Sequence, residues 1–259
     1  MQYWAGIDVG SLTTEVVIID AERHVVGSSI VPTGARSMRA VEEAMNGALT
    51  RAAISDENVA SIVSTGYGRQ NVQGRDKDVT EITCHARGAH FLFPDSRFVL
   101  DVGGQDSKAI ALDGSGRVAD FAMNDKCAAG TGRFLEVMAR ALEIELDDMG
   151  HLAVQATKKL TISSMCTVFA ESEVVSLLSR GEAVPDIVAG LSRAISERIR
   201  SLAQRVGIRD DVTMTGGVAK NGAVVRALEQ VCGKSFNIPP EPQVVGALGA
   251  ALIAQGIGR

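Results

Sequence analysis

An α/β fold of two repeated lobes is what this sequence predicts, and three observations carry the prediction. A triplet of β-branched runs separated by short turns occurs twice, over residues 3 to 31 and again over residues 96 to 124. The first run of each triplet ends on Asp-x-Gly, at Asp8-Val9-Gly10 and at Asp101-Val102-Gly103. Helical periodicity follows each triplet, as it must if the strands are to bury their faces.

The elements follow in order. Residues 3 to 9 (YWAGIDV), 14 to 20 (TEVVIID) and 23 to 31 (RHVVGSSIV) read as a meander of strands parted by DVGS and DAE. Met38, Val41, Ala44, Met45, Ala48 and Leu49 share one face of a helix over 37 to 54, and SIVSTGYGR then reads as a strand ending in a glycine-rich turn. A helical segment over 80 to 92 precedes Pro94, after which SRFVLDVGGQD, SKAIALDGSG and RVADFAMN restart the pattern. From Thr131 to about Val206 helical periodicity dominates, broken at Gly150, at Ser163-Ser164-Met165-Cys166 and at Gly181 with Pro185. A strand, a diglycine turn and a helix follow in DVTMTGGVAKNGAVVRALEQV, then a short strand near KSFNIP and a last helix from about Val244. The expected division is 1–94 for the first lobe, 95–243 for the second, and 244–259 for a C-terminal helix returning to the first.

Composition narrows the function classes. In 259 residues, 46% apolar content with 22% charge is ample for packed cores. A net charge of -5 lacks the clustered Lys/Arg excess that phosphate-backbone binding needs, which excludes a sequence-independent nucleic-acid partner. No basic segment precedes an apolar stretch at the N-terminus, and no apolar run approaches the roughly 20 residues of a membrane span, so the expectation is a cytoplasmic protein without a membrane partner. In that compartment four cysteines are not read as disulfides. Their roles are metal binding, redox chemistry or packing.

In Gly6-Ile7-Asp8-Val9-Gly10-Ser11-Leu12-Thr13-Thr14 an acidic residue ends a strand and a turn follows whose glycine admits a close ligand. Backbone N–H groups and the Ser and Thr hydroxyls suit phosphate oxygens, and Asp8, which would repel phosphate, is assigned to Mg2+ through water. Asp101-Val102-Gly103-Gly104-Gln105-Asp106 offers the same device again. A third element, Thr215-Gly216-Gly217-Val218-Ala219-Lys220-Asn221, sets a diglycine between strand and helix where a flat adenine and ribose could lie on bare backbone.

Cys127, in NDKCAAGTGRFLE, and Cys166, in SSMCTVFAESE, each stand at or near the start of a helical segment, with Thr167 and Ser164 available to cap the second. Free N–H groups and the positive helix end favour anionic sulfur there. Cys84 and Cys232 read as packing residues. Two thiolates do not complete a four-ligand zinc or iron-sulfur site, and no histidine is near either cysteine in sequence. Two copies of the chain related by a two-fold axis supply four, and the expectation is a 4Fe-4S cluster bridging two subunits.

The three glycine turns in this order resemble the actin, Hsp70 and sugar-kinase superfamily. That resemblance implies a two-lobed actin-like ATPase with ribonuclease H-like duplicated βββαβα lobes and ATP or ADP in the cleft between them. Asp8, Gly10, Ser11, Leu12, Thr13 and Thr14 would form the first phosphate loop, and Asp101, Gly103, Gly104 and Gln105 the second. Gly216 and Gly217 would form the adenosine loop, with Lys220, Asn221 and Gln243 near the nucleoside.

Taken together, IDVGS, STGYGR, DVGGQDSK, NDKCAAGTGRFLE, SSMCTVFAESE and TGGVAKN are similar to the ATP-dependent activators of 2-hydroxyacyl-CoA dehydratases and the ATPase subunits of benzoyl-CoA reductases. The resemblance runs from residue 6 to about residue 253. It implies an iron-sulfur ATPase, a homodimer or a heterodimer with a close paralogue, that takes one electron from ferredoxin or flavodoxin and delivers it to a dehydratase or benzoyl-CoA reductase component. The hydrolytic water would be oriented by Gln105 or by a carboxylate such as Asp101. The alternative on the same fold is a small-molecule kinase, because fold does not fix function.

Overall fold

A computed structural model describes residues 2–163 and 166–257, so Ser164, one of the expected caps, lies outside the described residues. The chain divides into two compact units. Unit 1 comprises residues 1–97, 112–119 and 239–259, and unit 2 comprises residues 98–111 and 120–238.

Unit 1 opens with β1 (Tyr3–Val9), β2 (Thr13–Ile19) and β3 (Val25–Pro32), followed by α1 (Ser37–Ala52), β4 (Val59–Thr65), β5 (Lys77–Asp78) and α2 (Glu81–Leu92). Its sheet runs β3-β2-β1-β4-β5, with β2 antiparallel to both β3 and β1, and β4 parallel to β1 and to β5. The second triplet is β6 (Phe98–Val102), β7 (Ser107–Leu112) and β8 (Val118–Asn124). After it come α3 (Gly132–Ala141), α4 (Met149–Val154), α5 (Thr167–Ser179), α6 (Val184–Gln204), β9 (Val212–Thr215), α7 (Gly222–Cys232) and β10 (Phe236–Asn237). Its sheet order, β10-β9-β6-β7-β8, is the first order read from the other edge, with β9 parallel to β6 as β4 is to β1. The duplication expected from sequence is therefore a duplication of topology, and the class is α/β with two lobes.

The expected strands and the helix over 37 to 54 are present within a few residues. β5 was not anticipated, because two polar residues between turns carry no apolar alternation. Gly150 does not break a helix but lies inside α4, and the chain reverses instead at Glu143, which adopts φ +55° just after α3. Gly181 (φ +77°) and Pro185 do separate α5 from α6, as their chemistry requires.

Strand β2 of the unit 1 sheet is buried on both faces, which explains its unbroken apolar run. Val16 and Ile18 join Ala44 and Ala48 of α1 in one cluster, while Val17 and Ile19 join the C-terminal helix α8 (Val245–Ala254) in another. All four strand residues are fully buried, and each such side chain stabilises the fold by about 1.5–3 kcal/mol. Helix α8 buries nine of its ten residues, as a helix apolar on all sides must. It approaches β1 so closely that a Cβ on Gly6 would lie 1.9 Å from the Ala247 carbonyl oxygen and 2.3 Å from the Ala251 nitrogen.

Gly6→Ala is accordingly expected to lower stability by roughly 3 kcal/mol in urea unfolding, since neither contacting atom belongs to a side chain that can turn away. Gly114→Ala, where a Cβ meets nothing within 4 Å, should stay within about 0.5 kcal/mol of the parent.

Candidate functional site

In unit 1 the β1–β2 hairpin turn is closed by the Gly10 N–H donating to the Thr13 carbonyl at 2.9 Å. Thr33 braces it from outside: its N–H donates to the Leu12 carbonyl and its hydroxyl to the Gly10 carbonyl. The buried Thr14 hydroxyl is bonded to that of Thr33 at 2.9 Å, so Thr14 supports the turn. Ser11 is exposed, and Gly10, Leu12 and Thr13 are half-buried. Asp8, at the end of β1, is only 7% exposed, and its Oδ2 stands 3.9 Å from Nε2 of His85 on α2.

The corresponding turn of unit 2 is closed in the same way, by the Gly103 N–H on the Asp106 carbonyl at 3.0 Å. Asp101 is 2% exposed with both carboxylate oxygens engaged: Oδ1 accepts from the Thr215 hydroxyl at 2.8 Å and Oδ2 from Lys108 Nζ at 2.9 Å. Lys108, itself 3% exposed, also reaches Asp106 Oδ1 at 2.8 Å. A buried cation held between two carboxylates offsets its desolvation, and this network binds β6, β7 and β9 together. Gln105, by contrast, is exposed at the tip of the turn.

The two turns share a feature that links two stretches read separately in the sequence, STGYGR and TGGVAKN. Thr65 at the end of β4 lies opposite Asp8, and Thr215 at the end of β9 lies opposite Asp101. Each is followed by a glycine in the left-handed region, Gly66 (φ +83°) and Gly216 (φ +85°). A Cβ on Gly66 would meet Asp8 Oδ1 at 2.3 Å and the Val9 carbonyl at 2.6 Å, and one on Gly216 would meet the Val102 carbonyl at 2.4 Å and Asp101 Oδ1 at 2.9 Å. Thr-Gly after the fourth strand of each repeat is the signal that could have found it. Lys108 and His85 were missed because an isolated Lys or His carries no spacing information.

Gly217 and Lys220 bound a short 3-10 turn after Gly216. Asn221 caps α7, its Oδ1 accepting from the N–H groups of Ala223 and Val224, so that oxygen is committed to the helix. Gln243 belongs to unit 1, in a 3-10 turn over Pro242–Val244, whereas Lys220 and Asn221 belong to unit 2.

Both cysteines expected to bind metal lie in unit 2 and are half-buried. Cys166 is the N-cap of the 13-residue α5, and Thr167, one of the expected caps, is the first helical residue. Cys127 caps only a single 3-10 turn over Ala128–Gly130, and α3 itself starts at Gly132. The Cys127 turn packs on α3 and α6, and α5 packs on the same two helices. Arg198 of α6 donates from Nη2 to Cys127 Sγ at 3.4 Å, and Asn124 Nδ2 donates to the Cys127 carbonyl at 2.8 Å.

Three further bonds join this segment to the turn at 103–106. The Gly132 N–H donates to the Gly103 carbonyl (2.9 Å), the Arg133 N–H to the Gly104 carbonyl (2.8 Å), and the Ser107 hydroxyl to the Gly130 carbonyl (2.6 Å).

Cys84 packs against Val63 and Ala250 in unit 1, and burial pushes its thiol up to about 12. At pH 8.5 it is expected to resist iodoacetamide in the native chain and to react after unfolding, as peptide mass mapping would read. Lys108→Met, which strands Asp101 without its cation, should cost about 3–5 kcal/mol in denaturant unfolding at neutral pH.

Comparison with known proteins bears on the family and the fold. An activator of lactoyl-CoA dehydratase from Anaerotignum propionicum is 49% identical over 97% of both chains. The crystal structure of (R)-2-hydroxyglutaryl-CoA dehydratase component A from Acidaminococcus fermentans superposes with a TM-score of 0.96 at 45% identity, covering 99% of this chain and 98% of that one. That of the 2-hydroxyisocaproyl-CoA dehydratase activator from Clostridium difficile with bound ADPNP gives 0.94 at 41% identity, covering 98% and 95%. A family model matches residues 5–254, nearly the whole sequence, and the chain belongs to the BadF/BadG/BcrA/BcrD ATPase family.

Proposed function

We propose that this ATPase is the activator of a 2-hydroxyacyl-CoA dehydratase, coupling ATP hydrolysis to one-electron transfer from ferredoxin or flavodoxin to the dehydratase. The observation that carries the reading is the set of bonds from the turn at 103–106 to the segment bearing Cys127. A turn whose glycine carbonyls accept from the N-terminus of α3 cannot change its contacts with a phosphate group without moving the chain that presents the cysteine.

The roles divide by chemistry. Asp8, nearly buried and facing glycine on two sides, holds Mg2+ through water, and the exposed Ser11 and half-buried Thr13 offer hydroxyls to phosphate oxygens. Gln105, exposed on the second turn, orients the water that attacks the terminal phosphorus, releasing ADP and phosphate. Asp101 serves as a brace, because Thr215 and Lys108 occupy both of its oxygens. The backbone at Gly216 and Gly217 takes the adenosine, with Lys220 beside it.

Cys127 and Cys166 fit an iron-sulfur group. Each is half-buried on a segment start, whereas Cys84 is sealed and burial raises the thiol of Cys232. One chain supplies two thiolates, so a second copy completes the set for a single 4Fe-4S cluster, which would serve as the one-electron carrier. The face of α5 agrees with such a partner: Val168, Phe169 and Val175 are 65%, 67% and 51% exposed on the helix that Cys166 caps. A second copy of the chain covers them.

Protein purified without oxygen is expected to carry about two iron atoms and two sulfides per chain; one iron per chain or fewer would refute the shared cluster. Asp8→Asn should lower kcat for ATP hydrolysis by about 10²–10³ while iron content stays unchanged. Cys127→Ala and Cys166→Ala should lose the iron and retain ATP turnover.

A further inference from the structure

The two cysteines are held by unequal means. Cys166 stands at the N-terminus of a 13-residue helix, where several unpaired N–H groups and the helix dipole favour negative charge on sulfur. Cys127 has only a three-residue 3-10 turn behind it, too short to sum an appreciable dipole. What it has instead is Arg198, whose Nη2 donates to Sγ at 3.4 Å.

Arg198 is well placed to be fixed rather than adventitious. It projects from the C-terminal half of α6, a 21-residue helix with Ile195 and Ile199 in the core on either side. Its Cγ would lie 3.2 Å from a Cβ built on Gly130, so glycine at 130 leaves room for the arginine stem to pass. The Asn124 amide holds the Cys127 carbonyl at the same time, and the Ser107 hydroxyl holds that of Gly130. Peptide, glycine and guanidinium together leave the sulfur little freedom. Arginine suits this duty better than lysine, because its fork keeps one N–H on the sulfur while the others remain available.

We propose that Arg198 is a positioning residue for the group that Cys127 binds, supplying through a charge-assisted N–H···S bond the positive field that the helix N-terminus supplies at Cys166, and so raising the reduction potential. This rests on Cys127 being a ligand of the cluster. The reduced group carries one more negative charge than the oxidised one, so a cationic donor on its sulfur stabilises the reduced state more. A charge-assisted hydrogen bond contributes about one order of magnitude to such an equilibrium.

The test is an EPR-monitored redox titration of the anaerobically purified, iron-loaded dimer, with iron counted in every sample. Parent protein without iron would overturn the cluster reading itself, which separates that failure from this one. With the parent loaded, Arg198→Met is expected to retain the iron and titrate at a lower potential, by about tenfold in the one-electron equilibrium constant, or ~59 mV. Arg198→Lys should recover part of the shift by restoring charge without the fork. If Arg198→Met fails to hold iron, Arg198→Gln, which keeps a neutral N–H donor, decides: a retained cluster that titrates below the parent supports the role, and no retained cluster refutes it. A parent-like potential in any loaded variant lacking the guanidinium charge, Met or Gln, overturns the proposal.

Discussion

The attachment of a glycine turn to a helix start is the constraint on which the rest of unit 2 depends. Gly103 and Gly104 give their carbonyls to the N–H groups of Gly132 and Arg133, donors that a helix cannot satisfy within itself. The turn thereby caps α3, and α3 in turn holds the turn open in one shape. A Cβ on Gly132 would lie 3.2 Å from the Gly103 carbonyl oxygen and 3.3 Å from Gly104 Cα, so any larger residue would press the two segments apart. Because the Cys127 turn is continuous with the start of α3, the position of that sulfur and the shape of the turn are parts of one hydrogen-bonded body.

The same economy of space recurs wherever the two repeats carry their aspartates. At Gly66 and at Gly216 a left-handed glycine lies over the carboxylate and over the carbonyl of the following valine. The backbones can approach only because no Cβ intervenes, and the approach keeps each aspartate almost wholly from solvent. The repeats differ in what faces the carboxylate. Asp101 is neutralised at close range by Lys108, whereas Asp8 faces a histidine at 3.9 Å. An aspartate already paired by a buried lysine is suited to bracing, and one with a more distant basic neighbour is suited to holding a hydrated cation. Duplicated geometry thus supports divided labour.

Much of this was legible in the amino-acid order. The repeated strand triplets, the Asp-x-Gly turns and the small, apolar C-terminal helix are local patterns, and each is dictated by periodicity or by the conformational freedom of glycine at a turn. Cys127 and Cys166 stood out because they lie among glycine and polar residues instead of on an apolar face. Asn221 carries a second signal beside the diglycine: Asn followed by a helical run is a cap, and its Oδ1 serves the helix.

What the sequence by itself determined was the duplicated α/β class and the chemistry-bearing turns, since these depend on neighbours within a few residues. Only the tertiary structure decided which groups face them. Lys108 reaches Asp101 across a strand pair seven residues apart, Thr215 reaches it across 114 residues, and Arg198 reaches Cys127 across 71. Charge pairing and N–H···S bonding act at about 3 Å in space and leave no periodic trace along the chain, so the partners of each site residue appear only once the strands and helices have packed.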